Sequence, residues 1–194
     1  NGATNHPYVG FAQNNEHIKE VLVDKLAPEI HDTYHIIIPN GVFPIPKIRP
    51  NLIQYRYSWY FYDSKKQEYY VDMSTPIGAI KNFMERKGIE ASSTTALGYS
   101  QGGYLAPILA SYISDFKASI SINSNTRVDK LGSHLNFTHN SLHNEGDPIV
   151  EFSNSFQSGE ELKLKIRKSC YHSFKVDTHE ITQESIELLN EILK

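Results

Sequence analysis

Residues 97–106 read LGYSQGGYLA and set Ser100 between glycines, after an apolar run and before a run of small residues. The segment TTALG at 94–98 has the composition of a buried strand, and residues 101–113 have that of a helix. A strand, a Gly-x-Ser-x-Gly turn and a helix in that order are typical of a nucleophile elbow. The stretch therefore predicts that Ser100 is a nucleophile. The alternative is a glycine-rich turn in which the serine has no chemical role.

The residues beside Ser100 suit the sharp turn that an elbow requires. We expect Gly98 and Gly102 to let the strand and the helix approach each other, and Gly103 to relieve further crowding. A serine at the start of a helix lies where free N–H groups and the helix dipole favour developing negative charge. The backbone N–H of Gln101 is therefore predicted to donate to an oxyanion formed on a substrate.

Strand-like and helix-like segments alternate along the chain, which predicts an α/β fold with a mostly parallel central sheet flanked by helices. At 194 residues the whole chain, 1–194, is expected to form a single domain. The other expected strands are YHIII (34–38), KASISI (117–122), HLNFTHNSL (134–142) and LKLKI (162–166). The other helices are expected at 14–26, from Thr75 as N-cap to Gly88, and after Thr182 as N-cap, and the Pro-rich segment 44–50 is expected to be a surface loop.

The composition argues against several classes of protein. The net charge is −3 and there is no basic patch, which argues against nucleic-acid binding. The apolar runs are only a few residues long, so we expect no integral association with a membrane. Cys170 is the single cysteine, so no internal disulfide can form. We expect a cytoplasmic protein, and a secreted form stays open because the chain begins at Asn1 rather than Met.

A nucleophilic serine needs a base and an acid that orients the base, and in folds of this kind they follow in the order Ser, Asp, His. The turn HNEGDPIV at 143–150 places Asp147 after an expected strand, and VDTHEIT at 176–182 places His179 just before the last helix. Asp147 and His179 are therefore the predicted acid and base. His172 is the best alternative base, while Asp177 lies too close to His179 in sequence for the usual arrangement.

Histidines also cluster near the expected strand at 134–142, at His134, His139 and His143. No carboxylate accompanies them at the spacing of metal ligands, so we expect surface or core histidines there and no metal site. The predicted chemistry requires no metal and no organic cofactor.

Five blocks resemble the phospholipase/carboxylesterase family of α/β-hydrolases, which includes the acyl-protein thioesterases and the small family of serine hydrolases. ALGYSQGGYLA resembles the family's GFSQGG elbow, and HIIIPNGVFP (35–44) resembles its strand ending in Pro-His-Ala-Pro. YRYSWYFYD (55–63) resembles its SWFDI segment, HNEGDPIV its HGxxDxxV, and THEIT its GHEI. The resemblance covers nearly the whole chain. It implies an α/β-hydrolase fold and the triad Ser100, Asp147 and His179.

The resemblance also implies a second oxyanion donor. YVGFAQNN at 8–15 resembles the family's HGFxQN loop, with Val9 in place of His, so the donor would be the backbone N–H of Phe11. The backbone of Ala3 is the alternative. Two loop positions depart from the family pattern: Thr178 stands where the family has Gly before the histidine, and Asn144 where it has Gly after the other histidine.

The function that the resemblance implies is hydrolysis of carboxylic esters or thioesters through an acyl-enzyme, as in carboxylesterases and lysophospholipases. The partner would be a small ester or acyl substrate. The stretch between Ile122 and Asp147 is too short for a large cap, so we expect an open, shallow pocket lined by Trp59, Tyr60 and Val42. Core packing is the alternative role of the aromatic residues. The alternative functions are a non-catalytic binding protein and a hydrolase of another acyl bond, in a peptide or a polyester.

Overall fold

The computed structural model describes residues 14–63, 65–66, 68–69 and 73–194. Its α-helices are α1 (Asn15–Val21), α2 (Pro28–Thr33), α3 (Ser74–Lys87), α4 (Gln101–Tyr112), α5 (Phe152–Lys165) and α6 (Gln183–Ile192). Its strands are β1 (Phe43–Pro44), β2 (Lys47–Arg49), β3 (Leu52–Gln54), β4 (Tyr57–Ser58), β5 (Tyr62–Asp63), β6 (Glu68–Tyr69), β7 (Thr95–Tyr99), β8 (Ala118–Ile122), β9 (Thr138–Asn144) and β10 (Lys168–Phe174).

The central sheet contains four strands in the order β10-β9-β8-β7, and every neighbouring pair in it is parallel. The predicted α/β architecture, a parallel sheet flanked by helices, is therefore confirmed. Because parallel strands share one direction, the residues that follow them gather at one edge of the sheet, where α/β proteins usually place their sites. The described residues outside this sheet add three short antiparallel pairs, β1–β4, β2–β3 and β5–β6.

Helices cover both faces of the sheet. On one face, Ile120 and Ile122 of β8 belong to a buried cluster with Leu22 and Leu26 near α1 and with Leu189 of α6. The intervening residues of β8 point to the other face, where α4 lies. Two further clusters join α4 to α3 and to α5 on that side. Burial on both faces explains why β8 is buried along most of its length rather than alternating.

Helix α4 is buried on nearly all sides and carries Pro107 in its interior. A proline has no N–H, so the carbonyl of Gly103, four residues earlier, lacks its helical donor. The hydroxyl of Ser121 on β8 donates to that carbonyl at 2.6 Å. The hydrogen bond replaces the one that the helix loses and fastens α4 to the centre of the sheet.

The C-terminal helix begins as predicted. Thr182 is the N-cap of α6, and its side chain accepts a hydrogen bond from the backbone N–H of Ser185. Ile181 and Ile186, on either side of the cap, are buried in the same cluster, as a hydrophobic staple requires. Helix α3 starts at Ser74, slightly before the predicted Thr75–Pro76 start, and Gly88 ends it as predicted. Gly88 adopts the left-handed conformation.

Two predicted strands are wrong. Residues 34–38 form no ladder with any other described residue. Their side chains alternate between half-buried and exposed, and Tyr34 and Ile36 pack against the core from an extended segment. Residues 162–166 lie at the end of α5 and the residue after it. In the sequence, apolar residues and lysines alternate over 162–166, as in a strand. In the structure Leu162 and Ile166 are buried and Leu164 is 86% exposed, which is a helical spacing.

Other boundaries shift. The weak strand expected at 134–142 is β9 at Thr138–Asn144, and the edge strand is β10 rather than 162–166. The helix expected at 14–26 consists of α1 and a separate 3-10 turn, Val23–Lys25. The Pro-rich segment expected as a loop is exposed, but part of it pairs as β2 with β3 in a hairpin. No helix among the described residues has both the length and the apolar character needed to span a membrane.

Candidate active site

Ser100 lies in a strained turn between β7 and α4. Its backbone angles are φ 52° and ψ −115°, in a region that residues other than glycine rarely adopt. Its N–H donates to the carbonyl of Ile122 at 2.8 Å, and its carbonyl accepts from Tyr104 N–H at 3.0 Å. These bonds fasten the turn to the neighbouring strand and to the helix. The local geometry is that of an elbow that presents the serine at the helix N-terminus.

Glycines make this turn possible, and two of the three expected ones are required. A Cβ atom on Gly98 would lie 2.0 Å from the carbonyl oxygen of Gly102, and one on Gly103 would lie 2.6 Å from Ser124 Oγ. A Cβ on Gly102 would have no heavy atom within 4 Å. The expectation that a side chain at position 102 would prevent the close approach is therefore wrong. Its backbone is what the strand approaches, and Gly98 and Gly103 make the approach possible.

The side chains of Ser100, His179 and Asp147 form one hydrogen-bonded chain. His179 Nε2 lies 3.0 Å from Ser100 Oγ, and His179 Nδ1 lies 2.7 Å from Asp147 Oδ2. Because an ionised carboxylate only accepts, the proton is on Nδ1 and Nε2 can accept from the serine hydroxyl. The His179 and Asp147 side chains are 6% and 0% exposed. The three predicted residues are thus brought together, and the hydrogen-bonded pair of His179 and Asp147 is shielded from water.

The carboxylate of Asp147 is oriented by its own turn. Oδ1 accepts hydrogen bonds from the backbone N–H groups of Ile149 (2.8 Å) and Val150 (3.0 Å). This leaves Oδ2 for His179. The Val150 carbonyl lies 3.0 Å from His143 Nε2. Burial lowers the pKa of His143, although the nearby Asp147 opposes that shift, and a neutral imidazole then donates to the carbonyl through Nε2.

The side chain of Gln101 ties the elbow to the aromatic segment at 58–60. Its Oε1 accepts from Trp59 N–H at 2.8 Å and lies 3.0 Å from Ser58 Oγ, and its Nε2 donates to the Tyr60 carbonyl at 2.7 Å. The backbone N–H of Gln101 is the first of α4 and so has no acceptor within the helix. Only this backbone group was predicted from the sequence, and the side-chain contacts were not.

The residues predicted to line a pocket lie in different environments. Tyr60 is 7% exposed and packs against Tyr104, with ring centroids 5.1 Å apart, which is the core role given as the alternative. Trp59 and Val42 are half-buried. Phe11 and Ala3, the two candidates for the second oxyanion donor, lie outside the described residues.

The alternative base His172 and the histidine cluster near β9 have other contacts. His172 is on β10 with its Nε2 3.4 Å from Asn140 Oδ1. His139 is fully buried between Ser119 and Ser141, and each hydroxyl lies 2.8 Å from a ring nitrogen. Within the described part of the chain, no group of three or more His, Cys, Asp or Glu side chains is arranged to hold a metal ion.

Three polar side chains with no role predicted from the sequence contact the loop that carries His179. They are Tyr99, Asn123 and Asn144, and each donates to a backbone carbonyl of that loop. The only signal in the sequence was that Asn144 replaces a glycine of the family pattern.

A protein-family model matches more than half of the chain. Residues 8–137 match the model of the family described as "Serine hydrolase (FSH1)". The matched residues include Ser100 and end before Asp147 and His179. No curated protein matches the chain in sequence.

Solved structures share the fold at low sequence identity. SOBER1 from Arabidopsis thaliana is 14% identical with a TM-score of 0.70, covering 95% of this chain and 93% of SOBER1. The Bacillus cereus carboxylesterase is 13% identical with a TM-score of 0.67, covering 95% and 84%. Zea mays acyl-protein thioesterase 2 is 12% identical with a TM-score of 0.64, covering 95% and 89%. The fold is that of the α/β-hydrolases, and the described residues include no large cap domain.

Proposed function

This chain belongs to the serine hydrolase (FSH1) family, and from that premise we propose that it hydrolyses carboxylic esters through Ser100, His179 and Asp147. The observation that carries the proposal is the hydrogen-bonded chain from Ser100 Oγ to His179 Nε2 and from His179 Nδ1 to Asp147 Oδ2. The strained elbow conformation of Ser100 supports it, because such strain concentrates at functional sites.

In the first step, His179 Nε2 takes the proton from Ser100 as Oγ attacks the carbonyl carbon of the ester. Asp147 keeps the imidazole in the required tautomer and stabilises the imidazolium that forms. The tetrahedral intermediate collapses when His179 gives its proton to the departing alcohol. The acyl group then remains on Ser100 as an ester.

In the second step, water replaces the alcohol. His179 removes a proton from the water as its oxygen attacks the acyl-enzyme, and the proton then returns to Ser100 Oγ as the acid leaves. The products are one carboxylic acid and one alcohol, and the enzyme regains its starting state.

In both steps an oxyanion forms on the substrate carbonyl. The backbone N–H of Gln101, at the N-terminus of α4, is the proposed donor to it. One such donor contributes on the order of 10² to 10³ in rate. Phe11, with Ala3 as the alternative, is proposed to supply the second N–H.

The proposed substrates are small esters, with thioesters as a second leaving-group class. Carboxylesterase and acyl-protein thioesterase structures with this fold support both. The half-buried Trp59 and Val42 are proposed to contact the acyl group. Trp59 lies in the segment that Gln101 holds, and Val42 precedes β1, which pairs with β4 in that segment. This arrangement would place the pocket wall next to the nucleophile.

Steady-state hydrolysis of p-nitrophenyl esters from acetate to octanoate, together with acyl-CoA thioesters, tests the proposal. We expect turnover of at least the short esters by the wild type, loss of turnover in Ser100→Ala, and no loss in Ser93→Ala, which removes an exposed hydroxyl near β7. A wild type that hydrolyses neither class, or a Ser100→Ala variant as active as the wild type, would contradict the proposal.

A further inference from the structure

We propose that Tyr99, Asn123 and Asn144 form a clamp on the backbone of the histidine loop and are positioning residues that hold His179 in line with Ser100. We call these three side chains the carbonyl clamp. The inference rests on the proposed function, because it assigns the clamp to the same proton transfer.

The carbonyl clamp is built at the carboxyl ends of three adjacent strands. Tyr99 is the last residue of β7, Asn123 directly follows β8, and Asn144 is the last residue of β9. These strands are parallel neighbours in the sheet, so their ends lie side by side. All three residues are buried: Tyr99 is 4% exposed, and both asparagines are 0% exposed.

The clamp binds three successive carbonyls, those of Thr178, His179 and Glu180. The Asn144 amide donates to the first and the third, each at 2.9 Å. The carbonyl of His179 itself accepts from Tyr99 Oη at 2.7 Å.

Asn123 completes the set. Its amide donates to the carbonyls of His179 at 2.9 Å and Glu180 at 3.1 Å. In a site shielded from water, hydrogen bonds of this kind hold their partners more firmly than they would at the surface. The backbone on both sides of the histidine is therefore fixed to the sheet.

The two asparagines also orient each other. Asn123 Oδ1 accepts from the backbone N–H of Asn144 at 3.0 Å, and the Asn123 N–H donates to the carbonyl of Leu142 at 2.9 Å. Asn123 has φ 47°, a conformation that asparagine tolerates better than most residues. Both of its amide hydrogens and its amide oxygen are thus committed to the clamp and to the adjoining strand end.

The side-chain amide of Asn144 positions the histidine loop at a cost in the stability of the protein. Its two donors are used, yet its Oδ1 is buried with no partner among the described residues. An unsatisfied buried acceptor costs a protein free energy. Turning the amide over would place that oxygen against two carbonyl oxygens, so the orientation that serves the loop is the only reasonable one.

The clamp also joins the two positions at which the chain departs from the family pattern. Asn144 and Thr178 each replace a glycine of that pattern, and the Asn144 amide donates to the carbonyl of Thr178. The side chain of Asn144 thus fixes the backbone at Thr178. We infer that the two replacements act together to set the path of the histidine loop in this chain.

The Tyr99 phenol can only act as a donor here. Burial raises its pKa, and the carboxylates of Asp147 and Glu180 raise it further, so the hydroxyl keeps its proton. The Tyr99 ring also packs beside the His179 imidazole, with centroids 5.3 Å apart. The tyrosine therefore restricts both the backbone and the ring of the histidine.

Three single variants test the clamp. Asn144→Ala removes two donors, Tyr99→Phe removes one hydroxyl with little change in volume, and Asn140→Ala is the matched control. Asn140 is a buried asparagine on the same strand whose side chain lies near His172 rather than the histidine loop. Each variant is assayed for kcat and KM with p-nitrophenyl acetate, and by NMR for the low-field proton of His179 Nδ1 that faces Asp147.

We expect Asn144→Ala to lower kcat about 10- to 100-fold with KM nearly unchanged, because small misplacements of catalytic groups have effects of this size. The low-field proton resonance should broaden or shift. Tyr99→Phe should give the same pattern more weakly, since Asn123 still donates to the His179 carbonyl, and Asn140→Ala should leave kcat and the resonance at wild-type values.

The clamp proposal fails if the wild type is active while both Asn144→Ala and Tyr99→Phe keep wild-type kcat and resonance. It fails equally if Asn140→Ala lowers kcat as much as they do, because the effect would then follow from lost stability alone. A wild type with no esterase activity instead overturns the proposed function. If Asn144→Ala does not fold, Tyr99→Phe decides the matter.

Discussion

Ser100 adopts a backbone conformation that costs a non-glycine residue roughly 1–3 kcal/mol, and its neighbours maintain it. The anchoring bond to Ile122 and the start of α4 fix the turn, while His179 lies within hydrogen-bond distance of the hydroxyl. At the scale of single residues, the proposed reaction depends on which histidine takes the proton from Ser100. The sequence left His179 and His172 as candidates.

Replacing each histidine with alanine separates the two. His179→Ala should lower kcat/KM for p-nitrophenyl acetate by about 10³-fold or more, since loss of a triad base has effects of this order. His172→Ala should leave it near the wild-type value, because His172 lies near Asn140 on β10, at the opposite edge of the four-stranded sheet from β7, which leads to Ser100. Initial rates at matched enzyme concentration provide the comparison. The opposite ranking would transfer the role of base to His172.

Single residues differed in how far they could be predicted. Ser100, Asp147 and His179 each carry a local motif in a chain order that α/β folds use, so their proximity could be expected. Asn123 has no motif, and its contacts join it to residues far along the chain. A polar residue at a strand end acquires such contacts only once the loops above the sheet are placed, which no local pattern specifies.

At the scale of elements, the elbow depends on how closely β7 approaches α4. Gly98→Ala would put a Cβ against the backbone of Gly102, which cannot rotate away, so we expect a loss of about 3 kcal/mol or more in the free energy of unfolding. Gly102→Ala meets open space within a helix, and we expect an unchanged free energy or a gain of up to about 1 kcal/mol.

Urea unfolding of the two variants and the wild type measures both effects. The pair is closely matched, because each variant adds one methyl group to the same turn. Similar losses in both variants would show that the turn is sensitive to any added volume and would contradict the assignment of close contact to Gly98.

The errors at this scale have a physical cause. The alternation of Leu162 and Leu164 fits a strand over five residues, but the buried residues from Ser155 through Leu162 to Ile166 follow a helical spacing over a longer window. The apolar run at 34–38 was long enough for a strand, yet an apolar run does not specify a pairing partner. Strand pairing is a property of the whole sheet.

At the scale of the whole molecule, the parallel sheet gathers the site at one edge and buries a polar chain in its centre. His139 on β9 lies between the hydroxyls of Ser119 and Ser141. Burial lowers its pKa to about 4 from its ordinary 6.5, and the hydrogen bond with Ser119 opposes the shift. The imidazole of His139 is therefore neutral in the folded protein, and the unfolded chain binds the proton more readily.

The sign of the pH dependence follows. The contribution of His139 is fully present above pH 6.5 and is lost as the pH falls toward 4, because the unfolded state takes up the proton in that range. Between pH 7 and pH 4.5 the loss from this one group should be about 2 kcal/mol. Burial lowers the pKa values of His143 and His172 too, and they act in the same direction.

Urea unfolding at the two pH values, for the wild type and His139→Leu, isolates this effect. The wild type should lose more free energy of unfolding on acidification than the variant does, even if the variant is less stable at pH 7 because two hydroxyls lose their partner. Equal losses in the two proteins would contradict a neutral, buried His139 as a source of acid sensitivity.

The fold class could be predicted because alternation of strands and helices restricts a chain of this size to few layer arrangements. The contacts between loops above the sheet edge could not. They depend on residues from β7, β8 and β9 meeting one turn near the C-terminus. Which residues contact each other there is determined by the packing of the whole molecule.

The measurement that tests the central claim most directly is labelling with a fluorophosphonate, followed by mass spectrometry of the intact protein and of its peptides. We predict one adduct per chain, located on Ser100, and none in Ser100→Ala. His179→Ala should react far more slowly than the wild type. An unlabelled wild type, an adduct on another residue, or equal labelling of Ser100→Ala would contradict the claim that Ser100 is the nucleophile.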